Sequence, residues 1–391
     1  MIQAIAISDL HLGEDNSALQ PRDNSNPHLP RLLQTWRALA AGRKIGALII
    51  LGDLMDLSLA YYSEAVPACK FFLQGIVAAD LFDRIIYLPG NHDHHIWHYI
   101  IEQQFVFSKL NSRLVPDYPR TKSLWVEDRP DEDQDSAFVK SSFLNQLLPP
   151  GGSIRQVYVT YPNYLFQPNP SGPAVVLTHG HFFEREWTII SDLIGYVIGN
   201  ITVDDLETFN APLTEFLWYN LGQSERLSRV VEEIYQNAEQ GRFEYLDNII
   251  HLVMQAIDAM DGKIKDGYIR DHIEEAIEAL IKKVLHAYLK RGAESTRASS
   301  MRNKPIGEIS AKVRTYFENY LEAKIFNVGC RDYSIVFGHT HLPGREKIKI
   351  NQKEVEVFNT GGWLLDENNQ MPGAAYVTIQ DNGQVGLNYF R

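Results

Sequence analysis

Nine of the 13 histidines of the chain fall into four short clusters. They are Asp9-Leu10-His11, Asn91-His92-Asp93 with His94, His95 and His98 directly after it, His179-Gly180-His181, and His339-Thr340-His341. A fifth cluster, Gly52-Asp53-Leu54-Met55-Asp56, supplies carboxylates. Carboxylate, amide and imidazole donors form a hard-to-borderline ligand set that suits Mn, Fe, Zn or Co. Asp9 and His11 are spaced i, i+2, as are His339 and His341, and in an extended chain such side chains face one side. Each pair therefore points at one place or straddles two neighbouring metal positions. Two divalent ions roughly 3.5–4 Å apart, bridged by a carboxylate, clamp a phosphoryl group during in-line displacement. Asp53 is the natural bridge, because Gly52 lets the backbone approach closely. Singly, each residue has a plainer explanation: an aspartate after a strand can cap a helix, and Asn91 is a common turn residue. The joint pattern is what points to a metal centre.

The flanking sequence positions these clusters. Residues 2–7 and the apolar runs before Gly52 and Gly90 are expected to be buried strands. An amphipathic helix is expected from Pro30 to Ala41, carrying Leu32, Leu33, Trp36 and Leu39 and stopping at Gly42. Strand, helix, strand, helix, strand indicates an α/β sheet with parallel pairing. "RQVYVTYPNYLFQP" and "AVVLTHGH" add two strands, and "EDRPDEDQD" between them and the third cluster is a solvated acidic loop. Residues 185–330 change to a helical period. There, 224–241 and 271–290 each carry one apolar face, so five or six helices are expected as an insertion. Strand texture returns in "DYSIVFGHTH", "VEVFNTGGW" and "AAYVTIQ", an antiparallel run that would complete a second sheet. The domain reading is a catalytic core of 1–184 and 331–391 interrupted by a helical cap, lid or dimerisation element. In α/β sheets ligands gather beyond the carboxyl ends of strands, so clusters far apart in sequence would converge.

The series Asp9/His11, Gly52-Asp53-Leu-Met-Asp56, Gly90-Asn91-His92-Asp93, His179 and Gly338-His339-Thr-His341 resembles the calcineurin-like metallophosphoesterase superfamily, with all five blocks present and in order. The resemblance implies a four-layer αββα sandwich and a dinuclear centre of two divalent ions, Mn²⁺ first and Fe, Zn, Co or Mg as alternatives. It implies one metal on Asp9, His11, Asp53 and His341, and the other on Asp53, Asn91, His179 and His339. A metal-bound hydroxide would attack phosphorus in line, His92 would protonate the leaving group, and Asp56 would orient His92. His181 and His95 are the expected substrate contacts.

Departures narrow the branch. Ser/Thr protein phosphatases resemble GDxxDRG and GNHE, whereas Leu57-Ser58 follows Asp56 here and the third block ends in Asp93. No tyrosine stands where purple acid phosphatases supply one. UDP-2,3-diacylglucosamine pyrophosphohydrolases look similar in their opening SDLHL and in helices between the fourth and fifth blocks, but that family has an arginine where this chain has His92. The expected substrate is a small-molecule or lipid-linked phosphodiester or pyrophosphate. A nuclease or nucleotide phosphodiesterase on the same centre is the alternative, and a non-catalytic scaffold a third.

Composition bears on partners. Hydrophobic residues make up 45% of 391, enough for a large core, and the formal net charge is −12. Phosphate backbones are bound by Lys and Arg, so this balance argues against a nucleic-acid partner. Two cysteines allow no disulfide framework, and no secretory leader is recognisable, which suits the cytoplasm. "WTIISDLIGYVIG" could touch a membrane surface, though it lacks the basic face that anionic lipid favours. Self-association through the helical region is the other expected contact.

Overall fold

The computed structural model describes residues 1–21, 26–116, 124–126, 139–184, 187–188, 190–191, 201–215, 219, 223 and 306–390. The expected helices at 224–241 and 271–290, the acidic loop, and most of the apolar stretch after Trp187 lie outside these residues. By internal contacts Met1–Gln223 and Arg302–Arg391 form one compact unit and Ser224–Met301 another. The helices Val203–Thr214 and Ile306–Tyr316 belong to the first, together with the strands.

Thirteen described strands run β1 (Ile2–Ile7), β2 (Ile45–Leu51), β3 (Phe82–Leu88), β4 (Trp125–Val126), β5 (Val139–Lys140), β6 (Val157–Val159), β7 (Asn163–Phe166), β8 (Ala174–Thr178), β9 (Tyr333–Phe337), β10 (Pro343–Ile350), β11 (Lys353–Thr360), β12 (Ala375–Gln380) and β13 (Val385–Tyr389). They form two mixed sheets, ordered β13-β12-β1-β2-β3-β6-β5 and β10-β11-β9-β8-β7-β4. The apolar run of β2 is buried at every position from Ala47 to Leu51, as expected of a parallel strand covered on both faces. Strand β11 of one sheet touches β12 and β13 of the other. The C-terminal segment does not complete a second sheet by itself. It divides, with β10 and β11 extending the second sheet and β12 pairing antiparallel with β1 in the first.

Helix α1 (His28–Ala40) buries Leu29, Leu32, Trp36 and Ala40, with Trp36 edge-on to Phe82 at 5.6 Å and to Tyr376 at 5.8 Å. It begins two residues before the expected Pro30. The Asn26 side-chain oxygen accepts from the N–H groups of His28 (2.8 Å) and Leu29 (2.7 Å), satisfying donors that a helix start leaves open. Helices α2 (Tyr62–Ala79) and α3 (His94–Ile101) follow β2 and precede β4 respectively.

Register carries the cluster-bearing strands to a common edge. Ile7 pairs with Ile50 and Leu51 with Leu88 in the first sheet, and β8, β9 and β11 run parallel in the second. The loops beyond that edge are bonded to each other. Asp9 N–H donates to Gly52 O (3.1 Å), Leu10 and His11 N–H both donate to Asp53 O (2.9 Å each), Gly338 N–H to His179 O (3.0 Å), and Trp363 N–H to Asp9 O (2.9 Å). Gly90 lies so close to the Asp53 carboxylate that a Cβ there would overlap it. We predict that Gly90→Ala costs about 1–3 kcal/mol of stability through overpacking and displaces Asp53. Urea unfolding checks the first, and calorimetric metal titration checks the second.

Candidate metal centre

Five of the seven expected ligands stand in the left-handed region: Asp9 (φ 53°), His11 (47°), Asp53 (48°), His339 (69°) and His341 (57°). That conformation costs a non-glycine residue about 1–2 kcal/mol, and such strain persists where the surroundings over-determine it. The i, i+2 pairs do converge, but not through extended chain. Each strand has ended, and both members of each pair sit in a tight left-handed turn.

Two groups of side chains meet there. Asp9, His11, Asp53 and His341 bring one ligand atom each to within 4.8 Å of one another, and so do Asp53, His179 and His339. In the first group His11 Nε2 is 3.0 Å from His341 Nε2, His341 Nε2 is 3.3 Å from an Asp9 oxygen, and His11 Nε2 is 3.8 Å from Asp53 Oδ2. In the second, His179 Nε2 is 3.3 Å from the same Asp53 Oδ2, 2.9 Å from Asn91 Oδ1 and 3.2 Å from His339 Nδ1. Asn91 thus brings its oxygen to the second group, while its buried Nδ2 makes no hydrogen bond among the described residues.

The electrostatics favour a cation. Asp9, Asp53 and Asn91 are each at most 1% exposed. Burial alone would neutralise the aspartates. Yet Asp53 is held well below the usual carboxylate range, the push from burial being outweighed by His179, His92 and His11, and Asp9 is lowered by His341 and His179. The same field acts on the rings. His11 is pushed up to about 10, burial being overcome by Asp56, Asp53 and Glu14, and His179 to about 9 by Asp53 and Asp9. Imidazole nitrogens facing each other at 3.0 and 3.2 Å cannot both present lone pairs without repulsion. A divalent cation between converging lone pairs and carboxylates relieves both problems, so the residues fit the implied metals.

An outer ring fixes the rings. Asp56 Oδ2 is 2.8 Å from His11 Nδ1 and 2.9 Å from His92 Nδ1, so one carboxylate serves a ligand candidate as well as the residue expected from the sequence. Ser58 Oγ lies 2.7 Å from both Asp56 Oδ1 and His92 Nδ1. His179 Nδ1 is 2.8 Å from Leu51 O, and His339 Nε2 is 3.1 Å from Glu184 Oε2. Asp93 accepts from Gly90 N–H (2.7 Å), Leu54 N–H (2.7 Å) and Met55 N–H (3.2 Å), tying the second and third blocks together. His92 N–H donates to Asp53 Oδ1 at 2.9 Å. Ser58 and Glu184 were not anticipated. For Glu184 a signal existed: a carboxylate directly after the apolar pair Phe182-Phe183.

Of the two expected substrate contacts, His181 lies beside the second group, its ring centre 5.4 Å from that of His179 and 6.4 Å from that of His339. His181 is 2% exposed, its ring stacked on Tyr161 and its Nε2 3.0 Å from the Tyr161 hydroxyl. His95, with 23% of its side chain exposed, points Nδ1 at Glu215 Oε2 (2.6 Å) and stacks on Tyr219 with ring centres 3.4 Å apart. Its neighbour His94 is buried between Glu215 (2.5 Å to Nδ1) and Glu207 (2.8 Å to Nε2), which fastens α3 to the helix Val203–Thr214 and its continuation. Burial would lower His94, but Glu207 and Glu215 raise it to about 10, and against its own burial Glu215 is lowered to about 2 by His94 and His95. The raised His94 contributes stability fully below about 6.5 and loses it as pH climbs toward 10. The lowered Glu215 contributes fully above about 4.5 and loses it as pH falls toward 2. We predict that His94→Gln costs roughly 3 kcal/mol between about pH 5 and 6, as for one partner removed from a buried pair, and progressively less toward pH 10. Urea unfolding across pH measures it, and a cost that grows with pH would contradict the ion-pair account.

The calcineurin-like phosphoesterase family model matches residues 2–198, half of the chain. No curated protein matches the sequence. The matched span holds Asp9 through His179, and the fold adds His339 and His341 from beyond it. With the family matched over half its length and a metal-competent Asp/His cluster at the strand ends, the chain belongs to the calcineurin-like phosphoesterases, metal-dependent hydrolases of phosphoester bonds.

Proposed function

We propose that this protein is a dinuclear-metal hydrolase of phosphodiester or pyrophosphate bonds in a small-molecule or lipid-linked substrate. The observation that carries the reading is Asp53 Oδ2, which stands 3.8 Å from His11 Nε2 in one ligand group and 3.3 Å from His179 Nε2 in the other. A carboxylate shared by two ligand groups is what a bridged metal pair requires. Asp9, His11, Asp53 and His341 would hold one ion, and Asp53, Asn91, His179 and His339 the other. Bound there, two divalent ions, Mn²⁺ first among them, supply Lewis acidity that makes water nucleophilic near neutral pH and offsets charge on the phosphoryl oxygens.

The chain's own groups do the rest. His92 is the proton donor to the leaving oxygen. Asp56 and Ser58 hold its Nδ1, so delivery falls to Nε2, and its backbone N–H is tied to the bridging Asp53. Asp56 couples the donor to the first ion by also orienting His11. His95, the more exposed of the two expected substrate contacts, is suited to meet the part of the substrate that leaves. Glu207 and Glu215 fasten the helix Val203–Thr214 to α3 directly after the donor block, and the acidic net charge disfavours a nucleic-acid substrate. Two free, buried cysteines suit a cytoplasmic setting. No described helix is long and apolar enough to cross a membrane.

Turnover of aryl phosphate mono- and diesters with added Mn²⁺ tests the reading, and inactivity on both with every divalent metal would refute it. Asp53→Ala is expected to lose bound metal and activity together. His92→Ala is expected to keep two metals while activity falls roughly 10²–10⁴-fold. Metal loss in the His92 variant would overturn its assignment as proton donor.

A further inference from the structure

Glu184 is 4% exposed and closes the 3-10 turn His181–Phe183, directly after the buried Phe182 and Phe183. A carboxylate so placed needs compensation for lost water. The Lys312 ammonium stands 3.6 Å from Oε1, but that lysine side chain is 40% exposed and the distance is long for a hydrogen bond. The closer partner is a ring: Glu184 Oε2 lies 3.1 Å from His339 Nε2.

That contact singles His339 out. His11 turns Nδ1 outward to Asp56 and Nε2 to the cluster, and His179 turns Nδ1 outward to Leu51 O and Nε2 to the cluster. His339 is reversed, with Nε2 outward to Glu184 and Nδ1 toward His179 Nε2 at 3.2 Å. A neutral imidazole carries its proton on one nitrogen and its lone pair on the other. A carboxylate against Nε2 keeps the proton there and the lone pair on Nδ1, facing the second group.

We propose that Glu184 is a positioning residue for the second ion: it fixes the tautomer and angle of His339, and the affinity of the His179/His339 site depends on it while that of the Asp9/His11/His341 site does not. This rests on the dinuclear reading above. Carboxylates that orient metal-bound imidazoles typically carry 10–100-fold in metal affinity.

The test is calorimetric titration with Zn²⁺ of wild type, Glu184→Ala, Glu184→Met and Glu184→Gln, with circular dichroism of the metal-free proteins to establish folding. Wild type should take up two equivalents. Ala and Met should bind the first equivalent unchanged and the second about 10–100-fold more weakly. Gln, whose amide oxygen can accept the same hydrogen bond, should stay within a few-fold of wild type. Should Ala fail to fold, Met against Gln still decides, since both preserve bulk and only Gln accepts. In ¹⁵N-histidine-labelled wild type, His339 should carry its proton on Nε2. Ala or Met binding both equivalents as wild type, both equivalents weakening alike, Gln behaving as Met, or a proton on Nδ1 of His339 would each overturn the proposal. Fewer than two equivalents in wild type would overturn the dinuclear reading itself, and this inference with it.

Discussion

Asp9, Asp53 and Asp56 stand side by side beyond the ends of β1 and β2, all at most 1% exposed. Three carboxylates withdrawn from water repel one another, and each would be neutral if burial alone acted. The ion pairs they make are to imidazoles: His11 and His92 on Asp56, His11 and His179 on Asp53, His341 on Asp9. Imidazoles balance this charge only by taking up protons, which removes the lone pairs that make them ligands. Divalent cations balance it and use those lone pairs. The rest of the site is organised around this constraint.

Two features of the scaffold hold the carboxylates in place. Parallel register brings three strand ends of one sheet and two of the other to one edge, so the clusters arrive together. Beyond that edge the chain turns in left-handed conformations at Asp9, His11, Asp53, His339 and His341. Their strain is offset by cross-loop bonds such as His11 N–H to Asp53 O and His339 N–H to Asp9 Oδ2, both 2.9 Å. Small residues make the crossing fit, for a Cβ at Gly52 would overlap His179 and one at Gly338 would overlap Ser8 and Asp9. The outer carboxylates then set which ring nitrogen faces inward.

The ligand candidates were legible because each directly follows an apolar run, and strand ends are where side chains of α/β sheets converge. The mechanism of convergence was not legible. The i, i+2 spacing suggested extended chain, whereas backbone bonds to loops some 40 to 330 residues away impose left-handed turns, as between His11 and Asp53 or His339 and Asp9. Asp56 was recognisable as a partner of His92 but not of His11, since one carboxylate reaching two rings is a matter of distance, not of order. Glu207 and Glu215 were invisible as partners of His94, because nothing local marks a contact across more than 110 residues. The split of the C-terminal strands between two sheets escaped for the same reason: the apolar texture of β12 tells that it is buried, not which strand it pairs with.

The proposed function turns on Asp53 being shared by two metal ions. Electron paramagnetic resonance of the wild-type protein loaded with two equivalents of Mn²⁺ addresses it most directly. The expected result is an exchange-coupled pair, with the coupled spectrum lost in Asp53→Ala. A spectrum of isolated Mn²⁺ at full loading, or saturation at one ion per chain, would contradict it.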